Sequence, residues 1–147
     1  MDATVRLHIL ADRLMPPMRC DQGCDFCCTI AAASPSEYDR ILAYAKAHAI
    51  KRRKQGVLCP WYQSGRCAVH PVRPLVCRLF GHAPELTCPR GYNTNAPRAT
   101  LARFRRLHRK TRPTPDQLVY LHDICYPRPQ IEAMLAQLEE EERKEGR

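Results

Sequence analysis

The chain has 147 residues, nine of them cysteine, with 24 Lys and Arg against 15 Asp and Glu for a net charge of +9. That length suits one small domain and excludes a large multi-domain enzyme. No apolar run reaches the roughly 20 residues that span a bilayer, so the chain is read as having no membrane segment. The start, Met1-Asp2-Ala3-Thr4-Val5-Arg6, lacks a basic and then apolar leader, which predicts a cytoplasmic protein. In a reducing compartment, clustered thiols point to metal rather than to disulfides.

The charge is unevenly placed. Lys51, Arg52, Arg53 and Lys54 carry four positive charges, and seven more fall between Arg98 and Arg112 without an acid among them. The rest of the chain is left at −2.

In chain order, Leu7, Leu10, Ala11 and Leu14 fall at helical spacing over residues 4–14, and Pro16-Pro17 ends that helix. Residues 20–28 read as a tight, cysteine-rich loop. Ser34-Pro35-Ser36-Glu37 has the residues of a capping box, with Pro at the first helical position. The stripe Tyr38, Ile41, Leu42, Ala45 and Ala49 continues that helix and places the tetrad 51–54 in its last turn, where cations favour the dipole.

Residues 56–97 hold six prolines, four glycines and four cysteines, and no long helix fits there. An irregular stretch of that length is reasonable where something other than an apolar core organises it. Residues 97–111 read as a helix with Leu101, Phe104 and Leu107 or His108 on one side and arginines around the rest. Thr114-Pro115-Asp116-Gln117 predicts a further short helix to about His122. A last helix over about 130–145 has Ile131, Met134, Leu135 and Leu138 as its apolar face.

The chemistry sits in the cysteines. Cys20, Cys24, Cys27 and Cys28 have the short spacing that lets several sulfurs converge on one centre, and Gly23 permits the turn this requires. Cys59, Cys67, Cys77 and Cys88 follow, each beside a turn former. Soft thiolates favour zinc or an iron–sulfur cluster over magnesium or calcium. Eight sulfurs suffice for two four-ligand sites, or for one site with spare buried thiols, since a free Cys packs as a small apolar residue. Neighbouring side chains point apart in extended backbone, so one of Cys27 and Cys28 can bind while the other packs. Cys125 stands alone and reads as core.

These residues carry a resemblance. Cys20, Cys24, Cys27 and Cys28, then Cys59-Pro60-Trp61, then the run Gly65 to Phe80 with its Arg73-Pro74-Leu75-Val76-Cys77-Arg78 element, then Cys88-Pro89, resemble the CxxCxxCC (YkgJ-like) family of zinc- or iron-chelating proteins. The likeness covers about residues 20–90. It implies a cysteine-held metal centre, and the family's flagellin-lysine-methylase relatives suggest a [4Fe–4S] cluster. Two departures stand out: the first gap holds three residues where the family's name has two, and His70 stands where Tyr is commoner.

Around such a centre, Arg73 and Arg78 either donate to cluster sulfurs and offset thiolate charge, or are solvated or paired with Asp21 or Asp25. His70 and His82 either complete a zinc site or lie exposed in turns. Phe26, Trp61, Tyr62 and Phe80 read as a shield against water. The basic helix 97–112, with Arg103, Arg105, Arg106, Arg109 and Lys110, suits nucleic acid or an acidic protein partner, the chain's own Glu139–Glu142 among the candidates. No phosphate loop, dinucleotide fingerprint or nucleophile elbow is present, so an enzyme is not indicated. The expectation is a single, mainly α domain over 1–147. A metal-organised irregular region, 20–90, is followed by a helical part, 97–145. The centre serves redox, sensing or accessory work. The alternative is a zinc-stabilised module that binds through its arginine helix.

Overall fold

The computed structural model describes residues 3–15, 28, 31–53, 58–94, 96–111, 113–121 and 128–146, with the side chains of 115, 128, 131, 134, 138 and 142 left aside. The chain is mainly α. Helix α1 (Ala3–Leu14) is followed by strand β1 (Ala32–Ala33), helix α2 (Pro35–Ala47), the hairpin strands β2 (Tyr62–Gln63) and β3 (Arg66–Cys67), a 3-10 turn at His70–Val72 and the short helix α3 (Leu75–Leu79). Helix α4 (Arg98–Thr111), a 3-10 turn at Pro115–Gln117, strand β4 (Val119–Tyr120) and helix α5 (Arg128–Lys144) complete the order. No helix among the described residues is long and apolar enough to cross a membrane.

Helix α2 starts as its sequence dictates. The Glu37 backbone N–H donates to Ser34 Oγ (3.3 Å), and the Ser34 backbone N–H donates to Glu37 Oε2 (2.7 Å), closing the capping box. Its end corrects the sequence expectation. Ala49 adopts a left-handed φ of 54°, the Ile50 N–H returns to the Ala45 carbonyl (2.8 Å) and the Ala49 N–H to that of Lys46 (3.3 Å). This is a Schellman stop, with Ile50 packing in the same cluster as Ala45. The basic tetrad therefore falls beyond the helix. Arg52 instead lies over the Trp61 ring (5.6 Å to the centroid) and donates to Tyr38 Oη (3.0 Å). The Arg53 guanidinium donates to the Cys59 carbonyl (3.3 Å).

A second correction concerns residues 114–122. The Thr114-Pro115 start yields only one 3-10 turn, after which Val119 and Tyr120 pair antiparallel with Ala33 and Ala32. The Leu121 N–H donates to the Ala31 carbonyl (3.0 Å), and Leu121 is fully buried. Ladder bonds and burial of Leu121 outweigh the local start signal, whose intrinsic worth is small.

Two apolar clusters result. One gathers Leu7, Ala11 and Met15 of and just after α1 with Leu75 of α3, Ala96, and Leu101 and Phe104 of α4. The other gathers Ala33, Ile41, Ala45, Cys59, Trp61, Val69 and Leu121, with Cys28 and Cys67 packed against it. The hairpin inside the second turns on Ser64 (φ 51°) and Gly65 (φ 77°), the two positive φ values of a type I′ turn. A Cβ on Gly65 would touch nothing, so glycine serves the backbone angle alone.

Candidate metal centre

Cys59 opens the segment Cys59-Pro60-Trp61-Tyr62. Its backbone N–H donates to the Cys28 carbonyl (2.7 Å), tying together two stretches that lie 31 positions apart in the sequence. The Tyr62 N–H donates to the Cys59 carbonyl (2.9 Å), folding the segment into a turn. That fold brings the backbone N–H groups of Trp61 and Tyr62 to the Cys59 sulfur. Burial and the neighbouring Cys67 push the Cys59 thiol up to about 11, and the two N–H donors and Arg53 only partly offset this. Two amides aimed at one buried sulfur make a setting that a metal-bound thiolate would use and a neutral thiol uses poorly.

Cys67 ends the hairpin, opposite Tyr62. Cys77 lies in α3. Both lie within electrostatic range of Arg73, a half-buried cation whose pKa burial and Arg78 hold below the ordinary guanidinium value. The Arg73 guanidinium donates to the His70 carbonyl (2.8 Å) and to His70 Nδ1 (3.1 Å). Burial, then the charges of Arg73 and Arg78, hold the His70 pKa below its ordinary value. His82 is buried and pairs with Thr94 Oγ1 (2.7 Å) through Nδ1. Cys88 sits in a turn closed by Asn93, whose Oδ1 accepts the Cys88 N–H (2.9 Å) and whose Nδ2 donates to the Cys88 carbonyl (3.1 Å).

Arg78 has a different occupation from Arg73. Its side chain is 5% exposed, and one guanidinium nitrogen donates to both oxygens of Asp12 (2.7 Å each). Its other N–H groups reach the carbonyls of Pro71 (2.7 Å) and Arg73 (3.1 Å). Its acid is thus Asp12 of α1, and its fork fixes the 71–73 turn against that helix. Asp21 and Asp25 lie outside the described residues, as do Cys20, Cys24, Cys27, Phe26 and Cys125.

No disulfide joins the described cysteines Cys28, Cys59, Cys67, Cys77 and Cys88 to one another. Among the described residues no three His, Cys, Asp or Glu side chains stand together as a metal site. Cys28, Cys59 and Cys67 share one cluster, whereas Cys77 shares with Cys67 only the electrostatic influence on Arg73. The donor set suits a thiophilic metal in its chemistry. A further sign is the indole of Trp61, which is 1% exposed and whose Nε1–H finds no acceptor among the described residues. A buried donor without a partner costs roughly 1–3 kcal/mol, and an anionic sulfur would satisfy it. Phe80 and Tyr62 are half-buried beside these turns.

One network escapes sequence reading. Glu37, already the capping carboxylate, also accepts the Leu75 N–H (2.8 Å) at the start of α3 and pairs with His8 Nε2 (2.6 Å). Arg40 donates to His8 Nδ1 (2.9 Å), which makes Nε2 the protonated ring nitrogen. Burial pushes the Glu37 carboxyl up, but His8, Ser34 and Leu75 outweigh it and hold the group below its ordinary value. The available signal was that His8, Ala11 and Met15 share one helical face, so His8 sits on the buried stripe of α1.

The helix α4 cations Arg98, Arg103, Arg105, Arg106, Arg109 and Lys110 are all exposed. Arg105 pairs with Glu85. In α5, Glu140 pairs with Lys144 (3.0 Å) and Glu141 accepts from Gln137 (3.1 Å), so these acids have partners within their own helix.

Comparison with curated proteins and with solved structures finds no match to this chain. A family model, in contrast, matches residues 19–113, the stretch that holds eight of the nine cysteines, Arg73, Arg78 and the basic helix. The chain belongs to the CxxCxxCC family, described as a "putative zinc- or iron-chelating domain".

Proposed function

We infer that the chain holds one cysteine-ligated centre, a [4Fe–4S] cluster, and acts in electron transfer, sensing or as an accessory to a redox process. The observation that carries this reading is the setting of Cys59. Its sulfur is buried, receives two backbone N–H groups, and shares its cluster with Cys28, Cys67 and an indole N–H that lacks an acceptor among the described residues. Sulfur ligands ringed by N–H donors in an apolar pocket are the arrangement by which proteins tune cluster potentials. Cys59 and Cys67 would supply ligands together with cysteines of the 20–28 segment, with Cys77 and Cys88 as further donors. Arg73 would offset anionic charge near Cys67 and Cys77, and Arg78, spent on Asp12 and two carbonyls, would hold the turn. When bound, a cluster supplies one-electron chemistry. Trp61 and Ile41 would exclude water from it.

The test is anaerobic purification of the full chain, followed by iron, sulfide and zinc analysis with visible and EPR spectra. Brown protein with four irons and four sulfides per chain, bleached by dithionite, is the expected result. A colourless protein with stoichiometric zinc overturns the cluster and leaves a zinc-stabilised module.

A further inference from the structure

Helix α4 is held down by one face. Leu101 and Phe104 are buried against α1 and α3, and Leu107 packs on the same cluster. At about 100° per residue, those three side chains centre on one meridian of the helix. Arg98, Arg105 and Arg109 then form a row roughly 120° to one side of it. Arg103, Arg106 and Lys110 form a second row roughly 120° to the other side. All six are exposed, and the outward ridge carries Ala102 and Arg106, each about 20° from the meridian opposite the buried face. Apart from Arg105, which is paired with exposed Glu85, none of these six cations has an ion-pair partner among the described residues.

We propose that α4 is a docking helix for duplex DNA, its two cation rows meeting the phosphates of the two strands on either side of the major groove. The charge pattern favours this partner. A helix with its side chains is about 10–12 Å across, and the B-form major groove is about 12 Å wide. Ala102 leaves room for the long Arg106 side chain to turn from the ridge toward its own row, so cations reach both groove walls. Each row runs along 10 Å or more of helix axis, at about 1.5 Å per residue, against a polyanion with a charge about every 1.7 Å. The deep, narrow major groove of duplex RNA does not admit a helix in this way. The contacts are to phosphate, so they position without reading sequence. The proposal does not depend on which metal the cysteines hold.

The test is fluorescence anisotropy of a labelled mixed-sequence DNA duplex of about 20 base pairs with the full chain, titrated between 50 and 200 mM salt. Six phosphate contacts predict a slope of about −5 in log affinity against log salt, a loss of about 10³-fold across that range. Replacing the row Arg103, Arg106 and Lys110 by Ala should cut the slope to about −3 with unchanged helicity and melting. Replacing Arg98, Arg105 and Arg109 should do the same, with Arg105→Ala also releasing Glu85. No binding at 50 mM salt overturns the proposal. So does an unchanged slope in either triple variant, or duplex RNA bound as tightly as DNA. Binding to polyglutamate in place of DNA assigns the helix to an acidic protein and equally overturns it.

Discussion

The two apolar clusters are built on different principles. Around α1, α3 and α4, helical periodicity places Leu7, Ala11, Leu101 and Phe104 face to face, and the polar groups at the margin are paired: Glu37 with His8, Ser34 and Leu75, and Arg78 with Asp12. Around Cys59 and Trp61, the polypeptide is held by turns, a two-residue hairpin and the short β1–β4 ladder. Cys59 is buried there beside half-buried Cys28 and Cys67, and the Trp61 indole N–H has no hydrogen-bond acceptor among the described residues. The first region closes on itself. The second has the chemistry of a site that a metal would complete, and binding there would then supply folding free energy in place of apolar volume.

Metal removal should separate the two most strongly. Stripping the metal, or replacing Cys67 by Ser, is expected to abolish hydrogen-exchange protection at Trp61, Tyr62 and Ala68, on the order of 10 kcal/mol for a structural site. Protection in α1 and α4 should persist. Equal loss in both regions would show that they form one cooperative unit.

Phe104→Ala tests the helical side. It should cost about 4 kcal/mol in denaturant unfolding with metal content per folded chain unchanged. Loss of metal in step with loss of stability would erase the distinction between the clusters.

Glu37→Gln sits at their junction and should cost about 3 kcal/mol, because the buried His8, Ser34 and Leu75 N–H donors lose an anionic acceptor. Its pH dependence follows from its sign. The folded carboxyl titrates below the ordinary value of 4.5, so the ionised group's contribution is fully present above that pH and is lost as pH falls through the folded value. Stability of the Gln variant should therefore be flatter than wild type in acid. Parallel profiles would remove Glu37 from the account.

The smallest effect is a gain. Ala49 is left-handed at the Schellman stop of α2, where glycine is free of Cβ strain, so Ala49→Gly should stabilise by about 1 kcal/mol in thermal melting. Destabilisation would mean that the lost side chain matters more than the angle.

Local signals carried much of the fold. Ser34 and Glu37 announced the capping box, Leu101 and Phe104 the buried face of α4, and the spacing of Cys20 to Cys28 with Arg73-Pro74-Leu75-Val76-Cys77-Arg78 announced the family. Each of these depends on residues within a turn or two of one another, and periodicity and capping report such short-range geometry directly. Tertiary structure alone decided the remainder. Glu37 meets Leu75 38 positions away, and Arg78 meets Asp12 66 positions away. Val119 pairs with Ala33 in place of the helix that Thr114-Pro115 begins, and Arg52 and Arg53 turn back onto Trp61 and Cys59 once Ala49 stops α2. Those partners are fixed by where the chain packs. A carboxylate or guanidinium advertises its charge in the sequence, and only the folded chain selects the donor or acid that answers it.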